Sequence, residues 1–165
     1  FDPPHAQEAF RRAASIAHKS GRQVALSLSD PFCVGRHRAA FLDLVRGHVD
    51  ILFANEDEIC ALYETESFDT AARHTAQDTT FAALTRSGLG SVVVHDGSFT
   101  KVEPVPTQVV DTTGAGDAYA AGFMAGLTAG RTLPECGRLA SVAASEIISH
   151  YGARPLSNLW AEMGF

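Results

Sequence analysis

Short apolar runs alternate with helix-periodic stretches along this 165-residue chain, and that alternation constrains the fold more than any other feature. Strand-like runs fall at 24–28, 50–54, 81–85, 91–95 and 99–105. Helical spacing of apolar side chains marks 4–20, where Ala6, Ala9, Phe10, Ala13, Ile16 and Ala17 recur, and 37–46, with Phe41, Leu42 and Val45 inward. Further helices are predicted over 69–76, 115–130 and 133–150. The punctuation agrees. Gly21 stands where a glycine helix stop belongs, Asp30-Pro31 closes the first strand, and Asp96-Gly97 is a hairpin turn signal. Asn55, followed by Glu56, Asp57 and Glu58, suits a helix N-cap with an acidic first turn. Helices interleaved with strands call for an α/β fold with a mostly parallel sheet and one hairpin. No repeat or linker divides the chain, so a single domain over 1–165 is expected.

Composition narrows the function. A formal charge of −6 with no basic cluster beyond Arg36, His37 and Arg38 argues against nucleic acid as partner. Cys33, Cys60 and Cys136 form no Cys-x-x-Cys pair and no spacing with the histidines suggests zinc. Reduced thiols in a cytoplasmic protein are expected. No apolar run is long enough for a transmembrane helix and no signal peptide is visible, so no membrane partner is expected. Phe1-Asp2-Pro3-Pro4 reads as the interior of a longer chain. Trp160 is expected to anchor the C-terminal tail.

The chemistry concentrates in Asp111-Thr112-Thr113-Gly114-Ala115-Gly116-Asp117, which precedes a helix of small residues. Gly114, Ala115 and Gly116 leave the backbone bare, so an anion can approach their N–H groups. A helix starting there adds unpaired N–H groups and a positive dipole end. Such a nest suits the oxygens of a transferring phosphoryl group. Asp117 at its mouth repels phosphate and needs a chemical reason; accepting the proton of an attacking hydroxyl is one. A glycine-rich helix start with an acidic first turn explains the same residues without chemistry. Two other phosphate motifs fail: a Walker A loop needs Gly-Lys-Ser/Thr where Gly116-Asp117 stands, and a dinucleotide fingerprint needs glycine where Tyr119 stands.

The run from Asp111 to Met124 resembles the C-terminal signature of the PfkB, or ribokinase-type, carbohydrate kinase family: an aspartate, small residues, a Gly-Ala-Gly-Asp core and a small-residue helix. The resemblance implies a ribokinase-like α/β fold with helices on both faces of the sheet, of which this chain carries the C-terminal, nucleotide-binding and catalytic part. The acceptor half and the lid sheet are absent from it. It further implies ATP-dependent transfer of the γ-phosphoryl to a hydroxymethyl group of a sugar or nucleoside, with Mg2+ and K+ as cofactors.

Site residues follow from the same resemblance. Asp117 is the implied base, and Gly114, Ala115 and Gly116 the anion hole. Asp111 and Thr113 would help hold the monovalent cation. Asn55 and Glu58 match an Asn-x-x-Glu motif that organises magnesium largely through water, although a capped helix start explains both residues. Thr85, Arg86, Ser87, Gly88 and Gly90 occupy the position that contacts the nucleotide; the family commonly has Thr-x-Gly there, so this chain departs from the pattern at Ser87. Ser141 and Ala144 would line the adenine pocket, or serve only close helix packing. The segment 148–155 with Thr85-Arg86-Ser87 is similar to adenosine kinase-like bacterial members, which points to a nucleoside acceptor. The alternatives are a ribokinase- or fructokinase-type sugar kinase and a noncatalytic nucleotide-binding module. A homodimer is compatible with the full-length protein, and the isolated 165 residues are expected to be inactive.

Overall fold

The computed structural model describes residues 1–162, and of Trp160 and Glu162 the backbone only. The tail-anchoring role expected of the Trp160 side chain therefore lies outside the described residues.

Helix α1 (Pro4–Lys19) starts with proline in its first turn and ends before Gly21, whose φ is +65°. Strand β1 (Ala25–Ser27) follows. Asp30 then does more than close a strand. Its side chain accepts the Phe32 N–H, Pro31 sits in the first turn, and helix α2 (Pro31–Arg36) begins. Asp-Pro, read in the sequence as a stop, is also a start, because proline is preorganised for the first helical position. Helix α3 (Arg38–Gly47) buries Phe41, Leu44 and Val45. Leu42, expected inward, is only half-buried; Leu44 takes the core position.

Strand β2 (Ile51–Asn55) leads directly into α4 (Glu56–Tyr63), and α5 (Phe68–Asp78) follows with Ser67 as its cap. Strands β3 (Phe81–Thr85) and β4 (Ser91–His95) flank a short 3-10 turn over Ser87–Leu89, and β5 (Ser98–Val102) follows β4. Between β4 and β5, Asp96 and Gly97 have φ of +47° and +73°, the pair of positive values that a tight hairpin needs. The strand predicted over 99–105 is thus shorter and begins one residue earlier. The five strands are ordered β1-β2-β3-β4-β5. β1 and β2 are parallel, with Ala25 opposite Ile51 and Ser27 opposite Phe53. The remaining helices are α6 (Ala115–Thr128), α7 (Leu133–Ile148) and α8 (Leu159–Glu162).

The chain divides into two compact units: Phe1–Leu84 with Val94–Phe99, and Thr85–Val93 with Thr100–Phe165. In the first, Ile51, Leu52, Ile59, Leu62, Ala71 and Leu84 are each at most 1% exposed and form the centre of the core. Val34 of α2 is equally buried, so this unread helix is an integral part of it. The apolar residues of α1 contribute less, because Phe10 and Ile16 are 44% and 56% exposed and only Ala14 of that helix is buried.

In the second unit α6 and α7 lie against each other. A Cβ on Gly122 would meet the Ala140 Cα at 2.9 Å, and one on Gly126 would meet the Cys136 Sγ at 3.0 Å. Glycines four apart share a helix face, and here they let the two backbones approach closely. Phe123, Cys136, Ala140 and Ile147 fill this core. The Tyr119 hydroxyl reaches Ser91 at 2.7 Å, and burial pushes the phenol up to about 12. That buried bond fixes the first turns of α6 against β4.

Candidate active site

The second unit builds a turn whose side chains are spent on shaping the backbone. Asp111 Oδ1 accepts the Thr113 N–H at 2.9 Å and the Thr113 hydroxyl at 2.7 Å. Asp111 Oδ2 accepts the Gly152 N–H at 3.2 Å. The Thr113 N–H, then the Thr113 hydroxyl and the Gly152 N–H, hold this carboxyl below the usual carboxylate range, because hydrogen bonds to the charged form favour it. The chain then turns at Gly114, φ +82°, into α6. A side chain there would strike Ala153, whose Cβ lies 2.7 Å from the position a Cβ would take.

Helix α6 has no side-chain cap. Ala115 N–H turns back to the Thr112 carbonyl at 3.2 Å. The N–H groups of Gly116 and Asp117, in the first turn, have no acceptor within the helix. Gly116 has open space where a Cβ would be, and Gly116 and Asp117 are exposed. The turn therefore offers a fixed set of donors and the positive end of a 14-residue helix to an incoming anion. The exposed Asp117 carboxylate stands beside them as the available proton acceptor.

Thr85 through Gly90 form a second glycine turn in the same unit. Arg86 N–H donates to the Gly90 carbonyl at 2.8 Å and Gly90 N–H to the Ser87 carbonyl at 3.1 Å. Gly90 has φ +83° and a Cβ there would collide with the Val102 carbonyl, so glycine is required by shape. Ser87, at φ +50°, carries the unfavourable backbone value in this turn. Ser87 and Gly88 are exposed. On α7, Ser141 is buried at 8% exposure and Ala144 is half-buried.

Asn55 and Glu58 lie in the first unit and form a complete capping box. Asn55 Oδ1 accepts the Glu58 N–H at 2.8 Å, and Glu58 Oε2 accepts the Asn55 N–H at 2.9 Å. Asn55 Nδ2 donates to Glu58 Oε1 at 2.9 Å. Burial pushes the Glu58 carboxyl up, opposed by the Asn55 N–H and reinforced by the negative charges of Asp30 and Asp57.

The implied cations fit these residues unequally. Both Glu58 oxygens already receive hydrogens from Asn55 and the group is 6% exposed. That suits orientation of a hydrated Mg2+ and not direct ligation. Asp111 is ionised and immobilised, and the Thr113 hydroxyl donates a hydrogen bond to it, leaving oxygen lone pairs of both for a hard monovalent ion. Among the described residues no group of three His, Cys, Asp or Glu side chains is placed to hold a metal.

Sequence reasoning singled out 148–155 by its resemblance but not the contacts that 149–157 makes with the turn at Gly114. The segment has no regular structure, yet Gly152 bonds Asp111 and Ala153 packs on Gly114. Only the run of Gly152, Ala153 and Pro155 hinted at a defined turn.

Comparison with known proteins gives one answer. The model of the pfkB family carbohydrate kinases matches residues 1–160. The structure of adenosine kinase from Sinorhizobium meliloti superposes with a TM-score of 0.93 at 53% identity, covering 98% of this chain and 50% of that one. Arabidopsis thaliana ribokinase, solved with ribose and ATP, superposes at 0.77 with 25% identity, over 96% of this chain and 53% of that one. Cytidine kinase from Thermococcus kodakarensis is 39% identical over 118 residues, 67% of this chain and 42% of the relative. The chain thus spans about half the length of the proteins it matches. Its fold is ribokinase-like, and the chain belongs to the pfkB family of carbohydrate kinases.

Proposed function

We propose that these residues form the nucleotide-handling and catalytic half of an ATP-dependent kinase acting on a hydroxymethyl group of a nucleoside, with a sugar as the second choice. The observation that carries this reading is the uncapped start of α6. Its Gly116 and Asp117 N–H groups are free of intrahelical acceptors, and a carboxylate stands at the same turn. Helices α1 and α3 also start without a side-chain cap; what sets α6 apart is the glycine turn fixed by Asp111 with a carboxylate beside the free donors.

In this reading the acceptor hydroxyl oxygen attacks the γ-phosphorus as its proton passes to the Asp117 carboxylate. A new O–P bond forms, the bond from the γ-phosphorus to the β–γ bridging oxygen breaks, and ADP leaves with that electron pair. Gly114, Ala115 and Gly116, with the Asp117 N–H, hold the charge that gathers on the transferring oxygens. Thr85, Arg86, Ser87, Gly88 and Gly90 meet the nucleotide, and Ser141 and Ala144 border its base. Glu58, set by Asn55, would orient water around Mg2+, which would supply charge neutralisation at the phosphates. Asp111 and Thr113 would hold K+, which would stiffen the turn. All of 1–165 serves as one functional part, in the cytoplasm.

The adenosine-like acceptor is favoured by the 53% identity to the bacterial adenosine kinase. The test is a transfer assay on the full-length protein with labelled ATP and adenosine, cytidine or ribose as acceptor. A labelled nucleoside monophosphate is the expected product. ATP binding with no transfer to any acceptor and no ADP release would instead support the noncatalytic module. Because the groups that place the acceptor are expected outside these residues, the isolated chain should transfer nothing. Positioning supplies roughly 7–11 kcal/mol of barrier lowering in such reactions.

A further inference from the structure

The end of α7 carries a half-buried acid whose bonds close a loop upon the phosphoryl-binding turn. Glu146 Oε1 accepts two backbone N–H groups, from Leu156 at 2.7 Å and Ser157 at 2.9 Å. The loop so closed, 147–155, contains no regular structure beyond the last residues of α7. It touches the site twice. Gly152 N–H reaches Asp111 Oδ2 at 3.2 Å, and Ala153 occupies the space against Gly114. Near its root, His150 Nε2 lies 3.3 Å from Glu146 Oε2, and His150 Nδ1 lies 3.2 Å from the Tyr151 carbonyl. The side chains of Glu146 and His150 are only 10% and 15% exposed.

Such a carboxylate has a desolvation cost that a helix–helix contact does not require. Glu146 Oε2, His150 Nε2 and Ser157 Oγ are buried with no well-formed hydrogen bond among the described residues, so the cluster is not an optimised polar core. What the carboxylate does achieve is local. It satisfies two N–H groups of a segment that has no ladder or helix to satisfy them, and it fixes that segment's far end. The near end is fixed by α7 itself, where the Ile148 carbonyl accepts the Val110 N–H at 2.8 Å. The loop is therefore tied at its root, its middle and its far end.

We propose that Glu146 is a positioning residue for the phosphoryl-binding turn, acting through the strap 149–157. It holds the strap so that Ala153 seats on Gly114 and Gly152 stays on Asp111. Gly114, at φ +82°, has no side chain to restrict it to that conformation, so its surroundings must fix the turn. The strap is that surrounding. The first donors of α6 depend on this turn for their direction, and misplacement of a catalytic group by about 1 Å can cost on the order of a hundredfold in rate.

This inference rests on the kinase reading, but one of its tests does not. In the full-length protein, Glu146→Ala should speed amide exchange at Gly152, Leu156 and Ser157, and also at Gly114 through Asp117. Glu146→Gln keeps an oxygen that can accept both N–H groups and should leave exchange near wild type. In turnover, Glu146→Ala should lower kcat about ten- to a hundredfold with the acceptor KM within a few-fold of wild type, and Glu146→Gln should restore most of it. Ala153→Gly, which keeps Glu146 and removes the contact with Gly114, should raise exchange at Gly114 and lower kcat several-fold. Unchanged exchange at Gly114 through Asp117 in both Glu146→Ala and Ala153→Gly would overturn the proposal. So would a Glu146→Gln variant as impaired as Glu146→Ala. Altered exchange in a protein that transfers no phosphoryl group would retain the strap and remove the kinase reading.

Discussion

Helices α4 and α6 begin in opposite ways. At α4, Asn55 and Glu58 exchange hydrogen bonds that use the N–H groups of both residues internally. At α6, a glycine in the left-handed region stands where the cap belongs, and no side chain closes the end. Both starts are acidic: α4 carries Glu56, Asp57 and Glu58, and α6 carries Asp117. The difference is what the backbone has left to offer. A capped start has already committed part of its donors and both oxygens of its acid, so a ligand there is better held through water. An uncapped start beside an immobilised Asp111 is an unfilled set of donors, and the structure spends Thr113, Gly152 and Ala153 on keeping it in shape.

The sharpest way to break this contrast is to remove the base from the uncapped turn. Asp117→Asn should cut kcat of the full-length protein by about 10²–10⁴-fold, the range for losing a general base. ATP affinity should stay close to wild type. Turnover within a few-fold of wild type would take Asp117 out of the mechanism.

Glycine substitutions in the same turn separate shape from access. Gly114→Ala combines a positive φ with a clash against Ala153; it should cost about 1–3 kcal/mol of stability and much of the activity. Gly116→Ala meets open space at a helical position, so thermal unfolding should show it neutral or more stable by up to about 1 kcal/mol. Any activity it loses then reports crowding of the bound anion. Equal stability losses at both positions would contradict the distinction.

At the capped turn the expected effects are smaller. Asn55→Ala should destabilise by about 1 kcal/mol, read by urea unfolding, and should raise the magnesium needed for half-maximal rate. Glu58→Gln should raise that requirement with less loss of stability. An unchanged magnesium profile in both variants would leave the capping box with a structural role alone.

The smallest effects are in pH, and the two turns differ in sign. Burial raises the Glu58 carboxyl above its ordinary 4.5, so the folded state binds that proton more tightly than the unfolded chain. Its contribution to stability is complete below pH 4.5 and is lost as pH rises through the folded value. Asp111 is lowered from 3.8. Its contribution is present above pH 3.8 and is lost as pH falls through the folded value. Glu58→Gln should flatten the first slope and Asp111→Asn the second, in unfolding midpoints measured across the acid range.

Much of this contrast was readable in the residues. β3, β4 and the start of α6 fall where apolar runs and the glycine turn predict them, because each has a local cause. Asn55 and Glu58, three apart at a strand end, announce a capping box by spacing alone. What was hidden had no local cause. Helix α2 escaped because Asp30-Pro31 fits a turn and a helix start equally well, and only packing of Val34 into the core decides. Leu44 displaced Leu42 because the helix begins at Arg38 and its buried face is set by its neighbours. The contacts of the strap escaped for the plainest reason: Glu146 binds backbone 10 and 11 residues away, and no periodicity records such a closure.

The N–H groups at the start of α6 can be observed directly. Backbone amide resonances of the full-length protein should be followed while a nonhydrolysable ATP analogue is added with magnesium and potassium at saturation. Gly116 and Asp117 should move most, and the Glu58 amide, held by Asn55 Oδ1, should move little. Static Gly116 and Asp117 resonances with saturable shifts at Glu56 to Glu58 would contradict an anion site at α6.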